Sequence, residues 1–349
     1  MKNLKKIIKI APVLACALAS SAHAMVINFS HDPSMDVRAL AGFQAAADRW
    51  SAVLHDNVTV NLNIGFSALG PNILGQTGST RRSVSYNAYR DALTADAWGA
   101  TDQAAVSHLS QSSCLSVMMN GTNVNPNGAG SGSTFVDANC NANNSTIRLT
   151  SANARAVGLL DANNPLSDGS VTFSSTFTWD FDPTNGVNSD AFDFIGVATH
   201  EIGHALGFVS GVDTLDANRS GNYSDAAFTY IAPADLFRCS SDSKAAGANL
   251  DFSADNRTKY FSLDNCDSSI ATFSTGVNFG DGRQASHWKD NLGIGILDPT
   301  AARGEVMAIS DTDLKLFDAI GWNTVPEPGT FALLAFGLAG MFGLRRRKS

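Results

Sequence analysis

The chain has 349 residues, 24 basic against 32 acidic, and 44% of its residues are hydrophobic. An acidic balance argues against nucleic acid as a partner, because gripping phosphates takes a surplus of Lys and Arg. The length allows a sizeable core, built as one large domain or two joined lobes.

Residues 1–24 read as a signal peptide. Lys2, Lys5, Lys6 and Lys9 make a positive start, residues 10–19 an apolar stretch, and Ala22-His23-Ala24 a small-residue cleavage site. Val13-Leu14-Ala15-Cys16 loosely fits a lipobox, which keeps a lipoprotein alternative open. A strand over Val26 to Phe29 follows almost at once, so no long inhibitory pro-segment is expected. Val37, Leu40, Ala41, Phe43, Ala47, Trp50 and Leu54 recur near a 3.6-residue period and predict a helix over 36–54. Val58, Val60, Leu62, Ile64 and Phe66 alternate as in a half-buried strand. A helix is expected over 86–109, broken near Gly99. Residues 121–144, rich in Asn, Gly and Ser, read as loop. Strands are expected at 146–149 and 171–177. Asp180 to Gly186 offers oxygen ligands for Ca²⁺ or forms a plain polar turn; its spacing is not that of an EF-hand.

Residues 191–208 read AFDFIGVATHEIGHALGF. Phe194, Ile195, Ala198, Ile202, Ala205 and Leu206 take helical spacing, Asp190 can cap the start, Asp193 lies in the first turn, and Gly207 suits the stop. Within this helix His200-Glu201-Ile202-Gly203-His204 is an H-E-x-x-H motif. Residues i and i+4 share one helix face, about 6 Å apart along the axis. Both imidazoles can therefore reach one Zn²⁺, and Glu201 can take a proton from water without ligating. The chain holds only three glutamates, Glu201, Glu305 and Glu327, which makes a chance motif improbable.

Beyond the motif the pattern is irregular from 210 to 283, with strands expected at 260–263 and 270–273 and a closing helix over 311–320. The whole predicts an α+β fold with a loop-rich C-terminal lobe. Residues 25–324 form the expected functional domain. Setting aside the eight basic residues and Glu327 of the two ends leaves 16 basic and 31 acidic residues, a net charge of −15. Cys114, Cys140, Cys239 and Cys266 lie in this part, and export predicts two disulfides. Of three connectivities, Cys114–Cys140 and Cys239–Cys266 close the more modest polar loops. No C-x-x-C spacing supports a cysteine zinc site.

A catalytic zinc needs a third protein ligand. The candidates are His287, in Ala285-Ser286-His287-Trp288, then Asp213 and Glu305; Ser210 stands where compact metzincins carry their third histidine. With His200, Glu201, His204, Gly207 and a distant His287-Trp288, residues 191–322 resemble leishmanolysin-type metzincins, in which an insertion displaces the third ligand. The resemblance implies a twisted mixed sheet, an active-site helix, Zn²⁺ on His200, His204 and His287, Glu201 as general base, and hydrolysis of protein or peptide substrates. The Met-turn methionine of that family falls on Leu297, with Met307 as the second candidate. Each doubling of a flexible loop costs only about 0.6 kcal/mol, so the long gap is no obstacle.

Residues 325–349 combine Val325-Pro326-Glu327-Pro328, an apolar segment to Leu344 and Arg345-Arg346-Arg347-Lys348. The apolar part is shorter than the ~20 residues of a full span. This end resembles the PEP-CTERM sorting signal of Gram-negative bacteria. That implies exosortase-type machinery as a partner, export across the inner membrane, transient membrane contact through the apolar segment as a short transmembrane helix, and removal of the tail. Two rival readings remain at this point. One is a non-catalytic surface or matrix protein with a structural zinc helix; the other is a zinc hydrolase that does not act on peptides.

Overall fold

The computed structural model describes residues 25–324. The signal peptide, the Cys16 alternative and the apolar tail lie outside the described residues. None of the described helices is long and apolar enough to cross a membrane. The first half runs β1 (Val26–Ser30), α1 (Val37–Ser51), β2 (Thr59–Ser67), β3 (Gly75–Ser79), β4 (Arg81–Ser85), α2 (Tyr86–Asp96), α3 (Ala100–His108), β5 (Val117–Met119), β6 (Phe135–Asp137), α4 (Ala142–Ser145), β7 (Thr146–Thr150), α5 (Ser151–Ala156) and β8 (Gly169–Ser174). It continues through β9 (Trp179–Asp180) and β10 (Phe192–Asp193) into α6 (Phe194–Leu206). The second half holds α7 (Val212–Asn218), β11 (Arg238–Cys239), α8 (Ser241–Ala245), β12 (Leu250–Asp251), β13 (Lys259–Phe261), β14 (Ala271–Phe273) and α9 (Asp311–Ala319).

The main sheet has the order β1-β2-β8-β3. β1, β2 and β8 are parallel, and β3 lies antiparallel on β8 at the edge. A parallel pair needs a crossover, and α1 supplies it between β1 and β2. Asp36 starts α1 by accepting from the Arg38 N–H at 2.8 Å. Its apolar stripe, Phe43, Ala46, Ala47 and Trp50, is fully buried, and the Trp50 indole donates to the Thr199 carbonyl of α6 at 2.8 Å. A Cβ on Gly42 would stand 2.4 Å from the Phe194 ring, so only glycine lets α1 and α6 approach this closely. Phe43, Phe173, Phe194 and Trp179 form one aromatic cluster between sheet and helices.

The architecture is mixed α+β, with small sheets around the main one, and the second half is rich in loops as expected. The expected helix over 86–109 is two helices, with Gly99 at the second start. β3, β4, β5, α5, β9, β10 and α7 are among the elements the sequence reading did not anticipate, and the expected loop over 121–144 contains β6 and the start of α4. Cys114–Cys140 and Cys239–Cys266 are the disulfides formed, with Cα separations of 5.4 and 5.5 Å.

Candidate metal centre

Helix α6 carries the motif. Its cap is Asp193, not Asp190: the Asp193 carboxylate accepts from the Gly196 N–H at 2.8 Å. The start lies later than expected because residues 192–193 pair with Trp179 and Asp180 as a short strand before the helix begins. The helix stops at Gly207, whose φ of 134° lies in the region that favours glycine. Between these ends His200 and His204 face the same cleft.

His287 arrives from the second half and joins them. The three Nε2 atoms stand 3.1 Å (His200–His204), 3.1 Å (His204–His287) and 3.3 Å (His200–His287) apart. Each Nδ1 faces a backbone carbonyl: Ile296 at 2.8 Å, Phe208 at 2.7 Å and Gln284 at 3.3 Å, respectively for His200, His204 and His287. Carbonyls only accept, so each Nδ1 carries the proton and the three Nε2 atoms turn lone pairs toward one point. Lone pairs that close repel unless a cation sits among them. Ligands at 2.0–2.1 Å on a tetrahedral Zn²⁺ would be about 3.3–3.4 Å apart, close to the spacings found. Burial in the cleft also pushes His204 down to about 3, helped by His200 and Arg81, and holds His287 well below the usual imidazole range. Neutral rings are the form that ligates.

The other candidates for third ligand are engaged elsewhere. Asp213 accepts from the Ala285 N–H at 2.6 Å, the Ser286 N–H at 3.2 Å and the Ser286 hydroxyl. It fixes the segment that presents His287. Glu305 is exposed and accepts from the Ala302 N–H at 2.7 Å. Ser210 donates its N–H to the Ser286 hydroxyl at 2.9 Å and its own hydroxyl to Asp235 at 2.5 Å. Among the described residues, the three histidines are the one cluster of His, Cys, Asp and Glu with the convergence a metal needs.

Glu201 is buried beside His200, and its carboxylate accepts from the Thr77 hydroxyl of edge strand β3 at 2.6 Å. Burial raises its pKa, with His200 and Thr77 opposing the shift. Three further residues of the site were missed in the sequence. Asp313 of α9 accepts from the Trp288 indole at 2.8 Å and the Ile296 N–H at 2.8 Å, so it ties down both the neighbour of His287 and the carbonyl that orients His200. Asp235 accepts from Gly211 N–H at 2.7 Å, and its partner Arg238 donates to the Ala285 carbonyl. Leu297 is fully buried against Gly203 on the underside of α6, whereas Met307 packs at Gly196 in the first turn. In the Asp180 to Gly186 loop, Asp180 accepts from Asp182 and Asn188, and Asp182 from Thr184. The carboxylates of that loop accept from the loop itself and from Asn188 just beyond it.

The histidines and Glu201 line a cleft of about 830 Å³, together with Thr77, Arg81 and Tyr230. Comparison with known families matches residues 324–348 to the PEP-CTERM protein-sorting motif. No curated protein and no solved structure matches the chain. The sorting motif marks an exported, tagged protein, carried across the inner membrane of a Gram-negative bacterium to the surface or outside and recognised by exosortase machinery.

Proposed function

We propose that this exported chain is a zinc-dependent endopeptidase with a metzincin-like catalytic domain. The observation that carries the reading is the triangle of three Nε2 lone pairs, each imidazole locked by a carbonyl behind it. Supporting it are the mixed sheet, with its antiparallel edge strand beside the motif helix, and a cleft large enough for several peptide residues. Held by His200, His204 and His287, Zn²⁺ supplies Lewis acidity toward water and a scissile carbonyl. Glu201 takes the proton of the attacking water and delivers it to the leaving amine. The Thr77 hydroxyl keeps the carboxylate aimed. Leu297 gives the apolar floor that a methionine gives in leishmanolysin-type enzymes.

A structural zinc site would be closed by four protein ligands. The three-histidine cluster and the free carboxylate of Glu201 favour catalysis over that rival. The test is Glu201→Gln, which keeps an acceptor for Thr77. Metal analysis should find one zinc per chain in both proteins, with casein turnover falling by about 10²–10⁴-fold in the variant and abolished in wild type by a chelator. Full turnover by Glu201→Gln would reject the general-base role. Stoichiometric zinc in a wild type that cleaves neither casein nor a peptide library would favour the structural rival.

A further inference from the structure

The cationic side chains of residues 25–324 are mostly spoken for by acids, as a net charge of −15 would lead one to expect. Arg81 and Arg148 differ. Both line the cleft, and among the described residues no carboxylate or carbonyl accepts from either guanidinium. β4 and β7 pair antiparallel with Arg81 opposite Thr150 and Ser83 opposite Arg148, which sets the two arginines on one face as diagonal neighbours. Burial, and after it the Arg148 charge, hold Arg81 below the usual guanidinium range. The nearest acids are committed, Asp213 to Ala285 and Ser286, and Asp235 to Ser210, Gly211 and Arg238. The Arg148 guanidinium rests over the Tyr230 ring at 4.7 Å, which fixes its plane without using its N–H donors.

We infer that Arg81 and Arg148 form a carboxylate subsite at the His204 end of the cleft, so that the substrates are peptides presenting a carboxylate there. Two half-buried arginine forks with unused donors, at diagonal positions on one face of the β4–β7 pair, are matched by a planar anion that accepts from both. A peptide can supply that anion as its C-terminus or as an Asp or Glu side chain. The inference rests on the peptidase reading for the identity of the ligand, though the subsite can be measured without turnover.

The probes are one neutral hexapeptide amide, its free-acid twin, and the amide with a single Gln→Glu change. Their binding is followed by calorimetry on zinc-loaded Glu201→Gln protein. At least one acidic probe should bind ten-fold or more tightly than the amide. Arg81→Gln in the same background should reduce that ratio below three-fold with the amide unaffected, and Arg81→Lys, which keeps charge but not the fork, should fall between. Preference for the free acid alone identifies a terminal carboxylate; preference for the Glu probe alone identifies a side chain. Equal binding of all three probes, no saturable binding, or an equal loss for all three in Arg81→Gln overturns the subsite. A Tm and zinc content of Arg81→Gln within range of the parent exclude misfolding. Retained carboxylate preference in a protein that cleaves no peptide would sink the peptidase reading and leave the subsite standing.

Discussion

Replacing Asp213 separates a ligand from a residue that presents one. Asp213→Asn keeps the side chain's shape. With its carbonyl toward Ser286 it still serves the two Ser286 donors, but its amide then faces the Ala285 N–H, which loses a bond to a charged acceptor and meets another donor. A hydrogen bond to a charged group contributes about 1.5–3 kcal/mol, and a donor left unpaired costs about 1–3 kcal/mol. Unfolding in urea should therefore show a loss of up to about 2.5–6 kcal/mol, less what the removal of a buried charge and relaxation of the 285–287 segment recover. That relaxation is what loosens His287, two residues on. Zinc affinity, measured by competition with a chromophoric chelator, should drop about 10–100-fold, the range for partners that orient ligands. Activity at saturating zinc should largely return, because His287 itself remains. His287→Ala should lose both affinity and rescue, and Glu305→Gln neither. A zinc affinity for Asp213→Asn within three-fold of wild type would refute this account, as would a His287→Ala protein that binds zinc normally.

Two other changes follow from the packing and the charges. A Cβ on Gly75 would stand 2.8 Å from the buried Phe173 ring and 3.2 Å from Glu201 Cγ, so Gly75→Ala should destabilise by about 1–3 kcal/mol and lower kcat more than it raises KM; urea melts and steady-state kinetics check both parts. Asp56 and Asp96 are each raised to about 6, chiefly by burial and then by neighbouring carboxylates. Because the folded state holds these protons more tightly, stability should decline as pH rises from about 4 to about 6 and level off above. Asp96→Asn should flatten that decline and stabilise the protein at pH 7.5 but hardly at pH 4; thermal melts across that window would contradict the assignment if wild type and variant ran parallel.

The motif helix, the first helix and strands, and the disulfide pairing were legible because each rests on local periodicity or on simple spacing. Edge strand β3 was not. Gly75-Gln76-Thr77-Gly78-Ser79 holds no apolar residue, and its strand conformation comes from pairing with β8, remote in sequence. Strand β4, Arg81-Arg82-Ser83-Val84-Ser85, is equally silent, so the cationic wall it builds with β7 could not be foreseen. The helix cap was misplaced by three residues for a related reason, since the β9–β10 pair that delays the helix is a tertiary contact. Asp235 and Asp313 look like surface acids in an Asp-rich chain. Asp313 shares a capping box with Ser310 at the start of α9, but nothing in the sequence announced that the same carboxylate reaches Trp288 and Ile296. His287 and Asp213 were both legible as candidates because metal chemistry restricts residue types. Their different roles depend on which of them faces the cleft.

His287 stands 83 residues beyond His204, and the question is what delivers it. The Cys239–Cys266 bridge lies wholly inside that gap and shortens the covalent path from 83 steps to roughly 57, which by the logarithmic closure law relieves only about 0.3 kcal/mol. The polar pins act on a larger scale. Asp213 holds the N–H groups of Ala285 and Ser286, Arg238 holds the Ala285 carbonyl, Ser210 holds the Ser286 hydroxyl, and Asp313 holds Trp288 on the far side. Each bond to a charged group contributes about 1.5–3 kcal/mol where water is excluded. Any one of these charge-assisted bonds therefore outweighs the crosslink's effect on loop closure. Ser210, six residues beyond His204, is part of the scaffold that holds the segment carrying His287. The bridge does little to place the third imidazole, which is set by Asp213, Asp313 and the buried Arg238.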